Sequence, residues 1–188
     1  MKIALLAKGE TLSKYPGRQD HTEVWGLNQL AQSHDLDKCF IMDDLVLRFP
    51  HWVGPEFPEW LKTYPKPIIT SRAYPEWPTS VNFPIREVSR HFKLPLGISY
   101  YSTVDYMLAY ATYLQVDQID LYGVDCAHPK REETARVSIG KWIGVAQGRG
   151  IKVTTQPGSF FHWFTVTGVN YEQALYGYAG PPRIEDLA

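Results

Sequence analysis

The chain has 188 residues, a formal net charge of -1 and 2 cysteines. That length suits one domain with a sizeable core, and the near-neutral charge argues against nucleic-acid binding through bulk electrostatics. Cys39 and Cys126 lie in apolar, strand-like contexts without metal-ligand spacing, the amino end enters a strand with no signal pattern, and no apolar run approaches the ~20 residues of a membrane span. A reduced, cytoplasmic protein without a membrane partner is therefore expected.

Residues 2–7, KIALLA, read as a short buried strand. Lys8, Gly9, Glu10, Thr11 and Leu12 follow as a turn. A glycine and a hydroxyl residue after the first strand form a partial phosphate-loop signal, since backbone N–H groups there could face an anion. The full G-x-G-x-x-G and Walker patterns are absent, and an ordinary βα turn is the alternative. Residues 23–26 are a second strand, leading into Leu27, Asn28 and Gln29. Asn28 either caps a following helix or offers its amide to a ligand. Residues 39–42 are a third strand, ending in Asp43 and Asp44. Adjacent carboxylates diverge, so at most one of them serves a common site.

Residues 48–95 change character. Pro50, Pro55, Pro58, Pro65, Pro67, Pro75, Pro78, Pro84 and Pro95 punctuate them, with Trp52, Trp60 and Trp77 between. Such proline density forbids long helices. Residues 68–71 suit a fourth core strand, and residues 83–92 read as an extended edge strand or hairpin arm. The aromatic content marks an ordered excursion rather than a disordered linker. It either forms a lid beside a site or covers one sheet face.

Residues 102–125 carry the clearest signal. Ser102 can cap a helix, with Asp105 at capping-box spacing. Val104, Met107, Leu108, Ala111 and Leu114 fall on one stripe, and Tyr106, Tyr110 and Tyr113 on its flank. Asp117 and Gln118 mark the turn out, then Ile119, Leu121, Tyr122 and Val124 form a buried strand ended by Gly123 and Asp125. Ligands of open α/β sheets bind beyond the carboxyl ends of strands, so Asp125 either serves a site there or caps the next loop. A polar loop follows, with His128, Lys130, Arg131, Glu132, Glu133 and Arg136. Residues 138–147 form a helix with Ile139, Trp142, Ile143 and Ala146 on one face, stopped by Gly148 and Gly150. Residues 151–155 are a further strand, and Gln156, Pro157, Gly158 and Ser159 turn out of it. The tail mixes Phe160, Phe161, His162, Trp163 and Phe164 with Tyr171, Tyr176 and Tyr178, and residues 180–188 read as loose. With 6 Trp and 12 Tyr, the aromatic surplus suits a groove or a homo-oligomer contact.

The alternation of strands and helices specifies an α/β fold: a single Rossmann-like domain over residues 1–188, with a mostly parallel sheet flanked by helices and a Pro/Trp-rich insertion. Gly9, Thr11, Asn28, Asp43, Asp44, Ser99, Ser102, Asp125 and Ser159 then gather at one rim, the default site.

The segment from Ser102 resembles the single-domain bacterial sialyltransferases. There a serine or threonine precedes a Y-M-x-A-x-A helix and an E-I-x-L-x-G-x-D strand. Here Ser102, Thr103, Tyr106, Met107, Ala109 and Ala111 match, then Ile119, Leu121, Gly123 and Asp125. LAKGETL at residues 6–12 is similar to that family's A-G-N-G-x-S-L, with Lys8 in place of the asparagine. Trp25, Asn28, Gln29 and Leu30 lie in a stretch similar to R-C-N-Q-F. The pterin diphosphokinase-like group has a related arrangement, and RVSIGKWIGVAQGRGIKV at residues 136–153 looks like phage proteins of the same Rossmann-like kind.

The resemblance implies a nucleotide or nucleotide-sugar across the strand ends. Asn28 would contact the nucleotide, Ser102 and Thr103 would lie near its phosphates or base, Gly9 would allow close backbone approach, and Thr11 matches in the same binding loop. A glycosyltransferase-like enzyme built this way uses Arg136 or Lys8 against diphosphate charge and His128 or Asp125 as base. The family's catalytic histidine falls in the stretch matching residues 135–142, which has none; His128 and, from the tail, His162 are the candidates nearby. The alternatives are a metal-dependent diphosphokinase-like transferase using Asp43, Asp44 and Asp125, and a non-catalytic phage protein that sequesters a nucleotide in the host cytoplasm.

Overall fold

A computed structural model describes residues 1–47, 51, 53–93, 99–128, 130 and 132–165, with backbone only at 163 and 164. Its strands are β1 (Lys2–Leu6), β2 (Glu23–Leu27), β3 (Lys38–Ile41), β4 (Ile68–Thr70), β5 (Ser80–Asn82), β6 (Gln118–Tyr122) and β7 (Lys152–Thr154). The helices are α1 (Leu30–Ser33), α2 (Glu56–Leu61), α3 (Ile85–Phe92), α4 (Thr103–Tyr113), α5 (Glu133–Gly148) and α6 (His162–Thr165), with a 3-10 turn at Glu10–Lys14.

The strands form one seven-stranded sheet in the order β5-β4-β3-β2-β1-β6-β7, and every pairing is parallel. The fold is therefore α/β and Rossmann-like, as the alternation of elements specifies. Ile3 pairs with Glu23 on one side and Ile119 on the other, so β1 is central. Its run of apolar residues is buried on both faces, which is what a parallel sheet covered by helices requires. The chain winds outward from β1 to β5, then crosses back to place β6 on the far side of β1. Winding reverses between β1 and β6, and the crevice beyond their carboxyl ends is where such sheets bind ligands.

Helix α4 begins as its sequence dictates. Asp105 Oδ2 accepts the Ser102 N–H at 2.7 Å, giving the capping box its reach-back bond. Val104, Met107, Leu108 and Ala111 are buried; Leu114, expected on the same stripe, is 41% exposed because the helix has ended at Tyr113. Tyr106 and Tyr110 join a chain of rings with Phe83, Phe40 and Trp25 at centroid spacings of 5.1 to 6.3 Å, filling the space between α4 and the sheet. Much of the aromatic surplus is thus spent on the core.

The described residues between 48 and 95 do not stand apart from that core. They add β4 and β5 to the sheet edge, and Phe57, Leu61, Tyr64, Tyr74 and Trp77 are buried in the same cluster as β1. The Trp77 indole donates to Pro58 O at 2.7 Å. Pro50, Trp52 and Pro95 lie outside the described residues. The extended arm expected over residues 83–92 is instead α3. Only Ser80–Asn82 is strand, and Pro84 stands just before the helix, where its fixed φ helps a first turn. Ile85, Val88 and Phe92 are spaced on one helical face.

Two other boundaries move. Helix α5 starts at Glu133 rather than Ser138, so residues 133–136 of the expected loop are its first turn, with acidic Glu133 suited to the helix's positive end. Gln118, expected in a turn, opens β6. Tyr171, Tyr176, Tyr178, residues 180–188 and the side chains of Trp163 and Phe164 fall outside the described residues. Among the described residues, no helix is long and apolar enough to cross a membrane.

Candidate functional site at the carboxyl rim

The loops after β1 and β6 meet at the winding reversal and are tied together. Ala7 N–H donates to Tyr122 O and Gly9 N–H to Gly123 O, each at 2.8 Å. Asp125, 6% exposed, accepts the Thr11 N–H at 2.9 Å on Oδ2 and the Thr11 hydroxyl on Oδ1. The same Thr11 oxygen accepts the Gly123 N–H at 3.0 Å. Three residues expected to face a ligand, Gly9, Thr11 and Asp125, are brought together, and they face one another. A Cβ on Gly9 would lie 2.4 Å from Asp125 Oδ2 and 2.7 Å from Gly123 O. The glycine allows close approach between two loops of the protein itself.

The turn out of this knot is also held. Cys126 adopts a left-handed φ of 47°, a conformation uncommon outside glycine and asparagine. Arg136 donates to Cys126 O from Nε at 2.8 Å and Nη2 at 2.6 Å, and its guanidinium lies 4.1 Å from the Phe160 ring centroid. Arg136, expected on a diphosphate, is engaged in fixing this turn. Burial pushes the Cys126 thiol up to about 11, so it stays protonated. His128 follows on the exposed surface, its N–H donating to Glu132 Oε2 at 2.8 Å. His162, at the start of α6, donates its N–H to Ser159 O at 3.1 Å, and Ser159 Oγ donates to Val124 O at 2.7 Å.

Asn28 is different. It ends β2 in a left-handed conformation, φ 52°, with its N–H donating to Phe40 O at 3.1 Å. It does not cap α1, whose N-cap is Gln29. Its side-chain Oδ1 is enclosed and has no hydrogen-bond partner. An amide oxygen in that state costs about 1–3 kcal/mol, a cost relieved when a donor arrives. Lys8 reaches across to Gln29 Oε1 and links the β1 and β2 loops. Partial burial lowers the Lys8 ammonium, with the Cys39 thiol opposing.

Ser102 and Thr103 stand half-buried at the amino end of α4, on the same rim, because a helix preceding a parallel strand starts at that strand's carboxyl side. Beneath them lies Asp105, fully buried. Its Oδ2 accepts four donors: Tyr101 N at 2.7 Å, Ser102 N at 2.7 Å, Ser102 Oγ at 3.3 Å and Ser138 Oγ at 2.9 Å. Its Oδ1 has none. Burial raises the Asp105 carboxyl above its usual range, and the bonds from Ser102, Tyr101 and Ser138 do not fully offset it. The capping-box spacing was legible in sequence, but the burial was not, because Ser138 comes from α5.

Asp43 and Asp44 do not join Asp125. Asp44 Oδ1 accepts the Val46 and Leu47 N–H groups, each at 2.9 Å, and Oδ2 pairs with Arg72 at 3.1 Å. Among the described residues no three His, Cys, Asp or Glu side chains are placed to hold a metal ion. The metal-ligand set of the diphosphokinase-like alternative is thus not assembled.

Solved structures share this architecture. The sialyltransferase CstII from Campylobacter jejuni with the substrate analogue CMP-3FNeuAc superposes with a TM-score of 0.53 at 18% identity, over 82% of this chain and 79% of that one. CstII with a trisaccharide acceptor and CMP gives 0.56 at 17%, over 86% and 83%. The C. jejuni enzyme with cytidine-5'-monophosphate gives 0.57 at 15%, over 85% and 82%. At these identities the likeness establishes the fold. No family model matches the chain, and no curated protein matches it in sequence.

Proposed function

We propose that the protein binds a nucleotide or nucleotide-sugar at the carboxyl rim and is a glycosyltransferase-like enzyme. The observation that carries this is Asn28 Oδ1, an enclosed acceptor without a donor, at a strand end one position from the winding reversal. The amino end of α4 lies on the same rim, and the positive end of a helix dipole favours an anion. Structural neighbours that hold CMP and a CMP-sugar analogue support the ligand class. In this reading Asn28 accepts from the ligand, Ser102 and Thr103 meet its phosphate, and the Thr11–Asp125 knot keeps the rim rigid. The similarity of residues 136–153 to phage proteins extends the proposal to a phage-borne protein working in the host cytoplasm.

Transfer needs a group to take the acceptor hydroxyl's proton as the sugar–phosphate bond breaks. Asp125 is committed to Thr11, which leaves exposed His128 as the base, and Arg136, expected against diphosphate charge, is committed to Cys126. The same two commitments favour a second reading, a binder that leaves its nucleotide unchanged. Incubation with a panel of nucleotide-sugars and acceptors separates them: product loss of about 100-fold in His128→Ala supports transfer, and intact ligand with retained binding supports the binder.

Asn28→Gly tests the shared premise. Glycine accepts φ 52° and deletes the unpaired oxygen, so folding stability should stay within about 1 kcal/mol. CMP affinity by titration calorimetry should fall roughly tenfold, the worth of one hydrogen bond. Equal affinity in the variant, or no binding of any nucleotide by the wild type, contradicts the proposal.

A further inference from the structure

We propose that Asp105 is the proton site of this pocket: its carboxylate takes up one proton from solvent when a nucleotide phosphate occupies the amino end of α4. The inference rests on the nucleotide reading above and adds a regulation to it. Four donors converge on Oδ2, while Oδ1 is sealed from water and unpaired. Oδ1 is therefore the oxygen on which a proton displaces no existing bond.

The position supplies the coupling. Asp105 is the third residue of α4, and its carboxylate binds the N–H groups of Tyr101 and Ser102 that lead into the helix. Charge there complements the helix end while the pocket is empty. A phosphate at the same end brings a second negative charge close to a fully buried carboxylate, and a like charge nearby disfavours the ionised form. Protonation of Oδ1 removes one of the two charges and leaves every bond to Oδ2 in place, at the cost of one unpaired O–H, a cost smaller than that of two like charges side by side.

The groups facing Asp105 do not remove that conflict. From α5, Ser138 contributes a neutral hydroxyl, and Lys141 acts on it only through space, with Nζ donating to Ser99 O at 3.3 Å. Burial lowers the Lys141 ammonium and raises the hydroxyls of Tyr100 and Tyr106. The Cys126 thiol, pushed up to about 11, is neutral as well. Burial already raises the Asp105 carboxyl, and a nearby phosphate acts in the same direction.

The test uses the full chain and cytidine 5'-(methyl phosphate), whose phosphodiester does not titrate near neutrality. Calorimetry in two buffers of different ionisation enthalpy counts the protons taken up on binding. The wild type should take up a proton, and its affinity should fall by up to about tenfold per pH unit above the free-state titration of Asp105. Asp105→Asn keeps an oxygen for the Oδ2 donors and should bind with no proton uptake and no such decline. Binding by the wild type with no proton uptake overturns the proposal, as does equal uptake in the variant. No binding by either protein instead removes the nucleotide reading, and this one with it.

Discussion

Gly123→Ala should lower the stability of the protein by roughly 3–5 kcal/mol, a large share of the 5–15 kcal/mol available to a typical domain. Two effects add. Gly123 has φ 70°, which costs an L-residue about 1–2 kcal/mol. The new Cβ would also lie 2.2 Å from Ala7 O and 2.6 Å from Ala7 C. Neither side can move away. Gly123 O accepts the Gly9 N–H, Gly123 N donates to Thr11, and Ala7 N donates to Tyr122 O. Relief of the clash therefore means parting the β1 and β6 loops and with them the rim. Gly17→Ala is the control: φ is 92°, nothing lies within 4 Å of the added carbon, and only the conformational cost of about 1–2 kcal/mol remains. Thermal unfolding of the two variants should show a midpoint several degrees lower for Gly123→Ala than for Gly17→Ala. Equal midpoints would mean that the knot is not rigid.

Asp120→Ala should cost a comparable amount, about 3–5 kcal/mol. Asp120 is 4% exposed in the middle of β6. Its Oδ2 faces His21 Nε2 at 2.9 Å and Lys2 Nζ at 3.3 Å; its Oδ1 accepts Gln118 Nε2 at 2.7 Å and Thr154 Oγ1 at 2.6 Å. Truncation strands several of these groups at once, among them His21, which is 7% exposed. The pH dependence follows from the same contacts. Burial pushes the Asp120 carboxyl up, but the bonds from Gln118, Thr154 and His21 and the charge of Lys2 outweigh it, so it sits below its usual range. A depressed carboxylate stabilises the fold fully above its unfolded value of about 3.9, and that contribution is lost as pH falls through the lower folded value. Urea unfolding should therefore show a wild-type advantage over Asp120→Ala that is level near neutrality and shrinks below about pH 4. An advantage that grows on acidification would contradict the assignment.

What the sequence carried and what it hid divide along one physical line. Short-range signals were legible: the apolar runs of β1 and β6, the Ser102–Asp105 cap, and Gly150 just past the end of α5. Proline misled at residues 83–92, because a proline that ends one element can also begin a helix, as Pro84 does. Partners far apart in the chain were hidden. Thr11 and Asp125 were both legible as rim residues, but nothing in sequence shows that residues 114 positions apart bond to each other rather than to a ligand. The same holds for His21 and Asp120, 99 apart, and for Ser138 and Asp105, 33 apart. Asn28 was found because polar residues at strand ends stand out, and only its surroundings show that its oxygen is left waiting.

That oxygen gives the most direct test: a crystal structure of the protein grown with CMP. The nucleotide should lie across the carboxyl ends of β1, β2 and β6, with a base or ribose donor within hydrogen-bond distance of Asn28 Oδ1 and the phosphate at the first turn of α4. CMP bound elsewhere, with Asn28 Oδ1 still unpaired, would contradict the account.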